Sequence, residues 1–337
     1  MASRVRIPAY LSYTLKAGVA AVVLVLMFRS GKLRPEVIGA AAHHWPSLLL
    51  AVAMLLSVVL ITAARWKLLL HGQGFHLDWR ATFSLTMIGV MFSAVIPGAV
   101  SGDLVKAYYV AREVSGKRAL AVATILMDRI IGLACLAAVA SVGVLWNRHL
   151  VFASRTLTAL SVLALGGCAA GGIGLFGTVA AGGRMLLLIK RLPSHMPLRG
   201  LILRVAEVLA AYHNQGRRLL AAFLMSIPVH LLGCASMLVC LHAVGEARSM
   251  PASLVFFAFP LGMLAISVPI TPAGVGVGQA AFYAVCNMAV PGSGSAGANA
   301  FTVFQAVVIP VYMLGLFPYL VYRKQVAAIP ARSKIEA

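Results

Sequence analysis

SAVIPGAVSGDLVKAYYVAR, residues 93–112, decides how this chain is read. An apolar run able to enter a bilayer is broken by Pro97, Gly98 and Gly102, and then presents Asp103 and Lys106. Proline removes a backbone donor and glycine frees the backbone, so one helix cannot run unbroken through the stretch. Charges are scarce elsewhere: of 337 residues 61% are hydrophobic and 11% charged, with eight acids in all. An aspartate placed beside a break in an apolar run therefore asks for a reason.

Working outward, the chain is far poorer in charge than the roughly 25% of an ordinary soluble domain. Its apolar runs recur at lengths able to cross a hydrocarbon core about 30 Å thick. The composition predicts an all-α, polytopic integral membrane bundle. The alternating segments of about ten residues that mark a membrane β-barrel are absent. The net charge of +20 follows from Lys and Arg collected between the spans, as the positive-inside rule requires. No recognition motif supports a nucleic-acid partner. The five cysteines, Cys135, Cys168, Cys234, Cys240 and Cys286, all fall in apolar segments without metal-ligand spacing and read as small buried hydrophobes. The basic N-terminal segment lacks a small-residue cleavage site and reads as a first span.

Six full spans are expected, roughly Tyr10–Phe28, Ser47–Ala64, Ala119–Trp146, Leu157–Ala180, Leu219–Val244 and Ala298–Tyr322. Two further apolar regions, about Ala81–Val110 and Ala252–Val290, are interrupted by Pro and Gly near their middles. Trp45, Trp66, Trp79 and Trp146 fall at predicted ends, where amphipathic rings prefer the headgroups. The basic segment 181–218 and the tail with Arg323, Lys324, Arg332 and Lys334 are assigned to the cytoplasm, as is the N-terminus with Arg4, Arg6 and Lys16. With this layout 21 of the 28 Lys and Arg lie inside, six outside, and Arg129 within a span. Each broken region must then return to the face it entered from. Arms of about 15 residues, roughly 22 Å long, favour re-entrant hairpins over tilted full spans. The flanking spans run in opposite senses around the two hairpins, which makes an inverted pair. Broken segments at corresponding places of inverted halves point to a transporter's binding site.

Asp103 and Lys106 follow the first tip, and ILMDRIIGL (125–133) places Asp128 and Arg129 inside the next span. A charge at mid-bilayer costs at least about 2.5–3.5 kcal/mol on insertion scales, so such groups pair or face water. Adjacent residues of one helix do not face each other. The expected cluster pairs Asp103 with Arg129 and Asp128 with Lys106, serving either as a clamp between hairpin and span or as a contact for substrate. The second tip, PITPAGVGVGQ (269–279), offers Pro269, Pro272, Gly274, Gly276 and the neutral Gln279, as flexible packing or as cavity lining. Arg65 and Arg112 are read as snorkelling at the cytoplasmic boundary. His43, His44, His71 and His76 lack metal spacing, and no metal or cofactor is expected. His230, beside Pro228, reads as a satisfied buried histidine or a cavity residue. Residues 198–212, LRGLILRVAEVLAAY, carry apolar positions at helical spacing and read as a helix lying on the cytoplasmic leaflet, held in part by anionic lipid.

RWKLLL (65–70), IPGAVSGDLVKAYYVAR (96–112), ILMDRIIGL and PITPAGVGVGQ, in this order, resemble the flippase-like family of the lysylphosphatidylglycerol synthase membrane domain. The resemblance spans nearly the whole chain and implies movement of a phospholipid, glycolipid or isoprenoid lipid between leaflets. Family members commonly carry arginine where Lys106 stands and glutamate where Gln279 stands. With about 15 residues after the last span, the soluble aminoacyl-transferase domain of the synthases is not expected on this chain. The expected function is a lipid flippase or facilitator in the bacterial inner membrane. Alternatives are an integral-membrane transferase, for which Asp103 and Asp128 are the only buried acids, and a scaffold or subunit of a lipid-modifying pathway. Expected partners are membrane lipids, with a lipid-modifying enzyme or a second copy of the chain as protein candidates.

Overall fold

The computed structural model describes residues 18, 21–96, 101–113, 118–151, 154–181, 187, 191, 199–266 and 271–322. Every regular element among them is helical. A helix over residues 21–29 (α1) and the short α2 (Pro35–Ala40) lead into α3 (Trp45–Gly72). Then come α4 (Trp79–Val95), α5 (Ser101–Glu113), α6 (Arg118–Trp146), α7 (Arg148–Val151) and α8 (Arg155–Ala181). The second half has α9 (Arg199–Ala210), α10 (Gly216–Ala243), α11 (Ala252–Ile266), α12 (Val277–Ala289) and α13 (Gly294–Met313), with a last helix over residues 316–322.

Among the described residues five stretches are long and apolar enough to cross a membrane: Pro35–Gly72, Arg118–Trp146, Arg155–Gly177, Gly216–Ala243 and Gly294–Tyr322. They correspond to five of the six expected spans. Of the expected first span, residues 21–28 are helical and 10–17, 19 and 20 lie outside the described residues, as do Arg4, Arg6, Lys16 and the tail 323–337. Each interrupted apolar region is two short helices meeting at a break, α4 with α5 and α11 with α12. Asp78 starts α4 by accepting a hydrogen bond from the Ala81 amide (2.9 Å), an N-cap that satisfies one of the orphan donors of a first turn.

The order of one long helix, two short helices and one long helix occurs twice, as α3–α6 and as α10–α13. α3 packs along α10, α6 along α8, and each pair of short helices packs together. Lipid is as apolar as leucine, so such packing rests on close backbone approach and internal hydrogen bonds rather than on the hydrophobic effect. Gly102 of α5 shows this: a Cβ there would run into the Gly89 carbonyl and Ser93 Oγ of α4. Another core element is an aromatic stack, with Phe282 and Phe301 rings parallel at 4.4 Å and Phe259 and Phe304 packed against them.

The connections sort into two groups by contact. At one end Gln73 Nε2 donates to Ala211 O (3.0 Å), Gln215 Nε2 to Gly72 O (2.6 Å) and Tyr212 Oη to Leu69 O (3.1 Å). Burial pushes the Tyr212 phenol up, which keeps it a donor. At the other end Arg34 pairs with Glu246, and Asn147 Nδ2 donates to Ser253 O (2.9 Å). These are the same two groupings of loops that the charge count assigned to opposite faces.

Three expectations are corrected here. α3 runs two turns beyond the expected Ala64, so Arg65 lies inside the bundle and does not snorkel. Trp66 is likewise fully buried rather than interfacial, whereas Trp45, Trp79 and Trp146 are exposed at or near helix ends. α9 has Val208 and Leu209 buried in a cluster with Leu69, Met127 and Ile131, and Val205 packed against it, so much of that face rests on protein rather than lipid.

Candidate functional site: a charged cavity within the bundle

Asp128 lies ten residues into α6, about 15 Å from its start, and Arg65 lies seven residues from the end of α3, about 10 Å. Both are 5% exposed. Arg65 Nε donates to Asp128 Oδ1 (2.8 Å) and Nη1 to Ser226 Oγ of α10 (2.7 Å), so one guanidinium joins three long helices. Gly132, one turn after Asp128, faces the same guanidinium plane. The planar fork of arginine suits it to hold two partners at fixed angles.

Arg129 turns to the neighbouring hairpin and holds Asp103 in a bidentate pair, Nε to Oδ2 (2.6 Å) and Nη2 to Oδ1 (3.0 Å). This is the pairing expected from sequence. The second expected pairing, Asp128 with Lys106, is not formed: Arg65 takes the carboxylate, and Lys106 Nζ sits 3.6 Å from the centre of the Trp66 ring. Trp66 is fixed in turn by its Nε1, which donates to Thr124 Oγ1 (3.0 Å). The short reach between Arg65 and Asp128 explains the difference, because a guanidinium already on the carboxylate leaves the ammonium to the aromatic face.

Arg65, Asp103, Lys106, Asp128, Arg129 and Gly132 line a cavity of about 290 Å³ that also touches Thr86 and Gly89 of α4, His230 of α10, and Phe259, Met263, Phe304 and Tyr312. His230, half-buried, donates from Nε2 to Gly132 O (3.0 Å) and also lines the cavity. Three bases, Arg65, Lys106 and Arg129, meet two carboxylates, Asp103 and Asp128, leaving one positive charge. The cluster reaches the side of the bundle. The Arg129 side chain is 51% exposed, in an α6 stripe with Val122, Leu126 and Leu133, and faces α5 where Leu104 and Tyr108 are exposed. Arg129 thus joins the charged cavity to an exposed apolar surface of the bundle.

Among the described residues of the second tip, none lines this cavity. Gln279 is buried, its Oε1 accepting from the Gly276 amide (2.7 Å) and its Nε2 donating to Gln305 Oε1 (2.7 Å). Gln305 Nε2 closes the chain of bonds on Ala273 O (2.9 Å). Ala273, Gly274 and Gly276 hold left-handed backbone (φ 50°, 70° and 82°), and Gly274 also has Ile266 where a Cβ would stand. Gln279 thus pins an irregular loop, and the Pro272–Gly274 turn packs against α4, so the second break meets the first hairpin. Pro97, Gly98 and Pro269 lie outside the described residues. Arg112 is exposed at the end of α5 and stacks 4.6 Å over Tyr108, apart from the cavity.

A larger cleft of about 740 Å³ lies between α6 and α9, apolar except for Arg118, Arg204 and Glu207. Arg65, Trp66 and Ser226 are the members of the charged site that sequence reasoning missed. The signal was available for Arg65: Leu55, Val58, Thr62, Arg65 and Leu69 recur at spacings of three and four, which places the arginine on the face of α3 that lines the cavity. Over residues 13–315 the chain matches the family described as Lysylphosphatidylglycerol synthase TM region. No curated protein and no solved structure matches it.

Proposed function

The chain belongs to the lysylphosphatidylglycerol synthase TM region family, and we propose that it is a flippase-like protein moving a phospholipid, glycolipid or isoprenoid lipid across the inner membrane. The observation that carries this is a charged cavity inside the bundle, lined by Asp103, Lys106, Asp128 and Arg129, whose Arg129 side chain is half-exposed beside the exposed Leu133. A lipid must pass its polar headgroup through hydrocarbon while its acyl chains stay there, and an ion-pair cluster joined to an exposed apolar surface supplies that environment. At about 290 Å³ the cavity is at the small end of ligand pockets, sized for a headgroup and not for a whole lipid.

The hairpins are re-entrant in this reading. α4, α5, α11 and α12 have 17, 13, 15 and 13 residues, about 20–25 Å each, short of the hydrocarbon thickness. Irregular backbone at that depth is tolerated where protein covers it, and the Pro272–Gly274 turn against α4 fits that requirement. The two four-helix units run in opposite senses, with both termini cytoplasmic. The chain acts by transport, without chemistry of its own, on membrane lipid. A lipid-modifying enzyme or a second copy of the chain is its candidate protein partner.

Reconstitution tests this. In proteoliposomes, a phospholipid carrying a headgroup fluorophore becomes accessible to an impermeant quencher from the outside as it changes leaflet. The wild-type protein raises that rate above protein-free vesicles, and neutralising the outer pair together, Asp103→Asn with Arg129→Gln, lowers it at least about tenfold. An unchanged rate in a double variant that purifies and melts like wild type would make the pair architectural and favour the scaffold reading.

A further inference from the structure

Resting on the reading of the cavity as a headgroup path, we infer that it selects lipids whose headgroup carries net negative charge, held through a phosphate on Lys106. Each carboxylate of the cavity is already engaged by an arginine, Asp128 by Arg65 (2.8 Å) and Asp103 by Arg129 (2.6 Å). Among the described residues no carboxylate forms an ion pair with Lys106, which is 5% exposed and lines the cavity. Its ammonium rests on the Trp66 face, 3.6 Å away. An aromatic quadrupole attracts a cation, but an anionic oxygen makes a shorter, charge-assisted hydrogen bond to it. Lysine brings three rotatable donors on a compact charge, which suits a tetrahedral phosphate approached from one side.

The rest of the cluster sets the selectivity. With both carboxylates held by guanidinium groups, a ligand's own ammonium finds no unengaged acid, and the cavity's net positive charge opposes it. A headgroup that is zwitterionic therefore loses the benefit of its cation, and a headgroup bearing net positive charge is disfavoured outright. An anionic headgroup gains the attraction of Lys106 where little water screens it. The half-exposed Arg129 at the mouth presents the same sign to an incoming phosphate.

Calorimetric titration of the full chain in a nonionic detergent tests the inference, with short-chain phosphatidylglycerol, phosphatidylcholine, lysylated phosphatidylglycerol and inorganic phosphate as separate probes. Phosphatidylglycerol is expected to bind at least about tenfold tighter than phosphatidylcholine, with the lysylated lipid weakest. Lys106→Gln removes the preference and Lys106→Arg retains it. Equal affinities for the three lipids, or tightest binding of the lysylated one, overturn the inference. The wild-type comparison decides this by itself should Lys106→Gln not fold. Inorganic phosphate binding as tightly as phosphatidylglycerol would also overturn it, since the site would then serve a free anion. The outcome is separable from the transport reading. Preference without transport in vesicles leaves the site and removes the path, and transport without preference does the reverse.

Discussion

Arg65 shows what one residue does when an apolar helix carries it inward. Its guanidinium meets Asp128 and Ser226 at 2.8 and 2.7 Å and so fixes α3, α6 and α10 against one another. Removing one member of a buried pair leaves the other uncompensated, at a cost of about 3–5 kcal/mol. Asp128→Asn is accordingly expected to lower thermal stability in detergent markedly, as is Arg65→Met alone. Combining Arg65→Met with Asp128→Leu should recover most of the loss, because neither member of the pair is then left as an uncompensated charge. A double variant no more stable than either single one would show that the two do not act as a pair. At this scale the Asp103–Arg129 pair was legible in the sequence, because charges in an apolar run must find partners and few were on offer. The competition for Asp128 was not. It turned on α3 extending past Ala64, and helix ends are set by packing that hydropathy alone does not report.

The hairpins show the same contrast among elements. Proline and glycine marked both breaks, and the structure has paired short helices at each place. The role of the second tip was hidden, because Gln279 serves its own loop through Gly276 and Gln305, and a glutamine's partners are not written in its neighbours. Trp66 escaped for a related reason: a tryptophan near a predicted helix end usually marks an interface, and only the Thr124 hydroxyl and the surrounding helices make this one a buried platform for Lys106. Single cysteines report whether the short helices turn back within the bilayer. Trp79→Cys and Glu113→Cys are expected to react with an impermeant maleimide from one compartment, and Ile96→Cys, before the first break, to stay protected from the other. Labelling of Ile96→Cys from the far side would mean full crossings. The native cysteines are a small background, since four are buried and Cys168 is partly so.

Across the whole molecule, two units of the same helical order meet where the second break rests on α4 and the ion pairs join hairpin, spans and cavity. Among the described residues five long apolar stretches surround this centre, and the Arg129 side chain leaves it half-exposed. In transport a lipid headgroup is expected to occupy that cavity while its tails remain outside. Photo-crosslinking in proteoliposomes with a phospholipid bearing a photoreactive headgroup, followed by mass-spectrometric mapping, tests it most directly. The predicted adducts fall on Thr86, Lys106, Leu133 and their neighbours, and an acyl-labelled lipid marks Leu126 and Leu104 on the outer face instead. Headgroup adducts confined to the helix ends, with none on α4, α5 or α6 around the cavity, would contradict it.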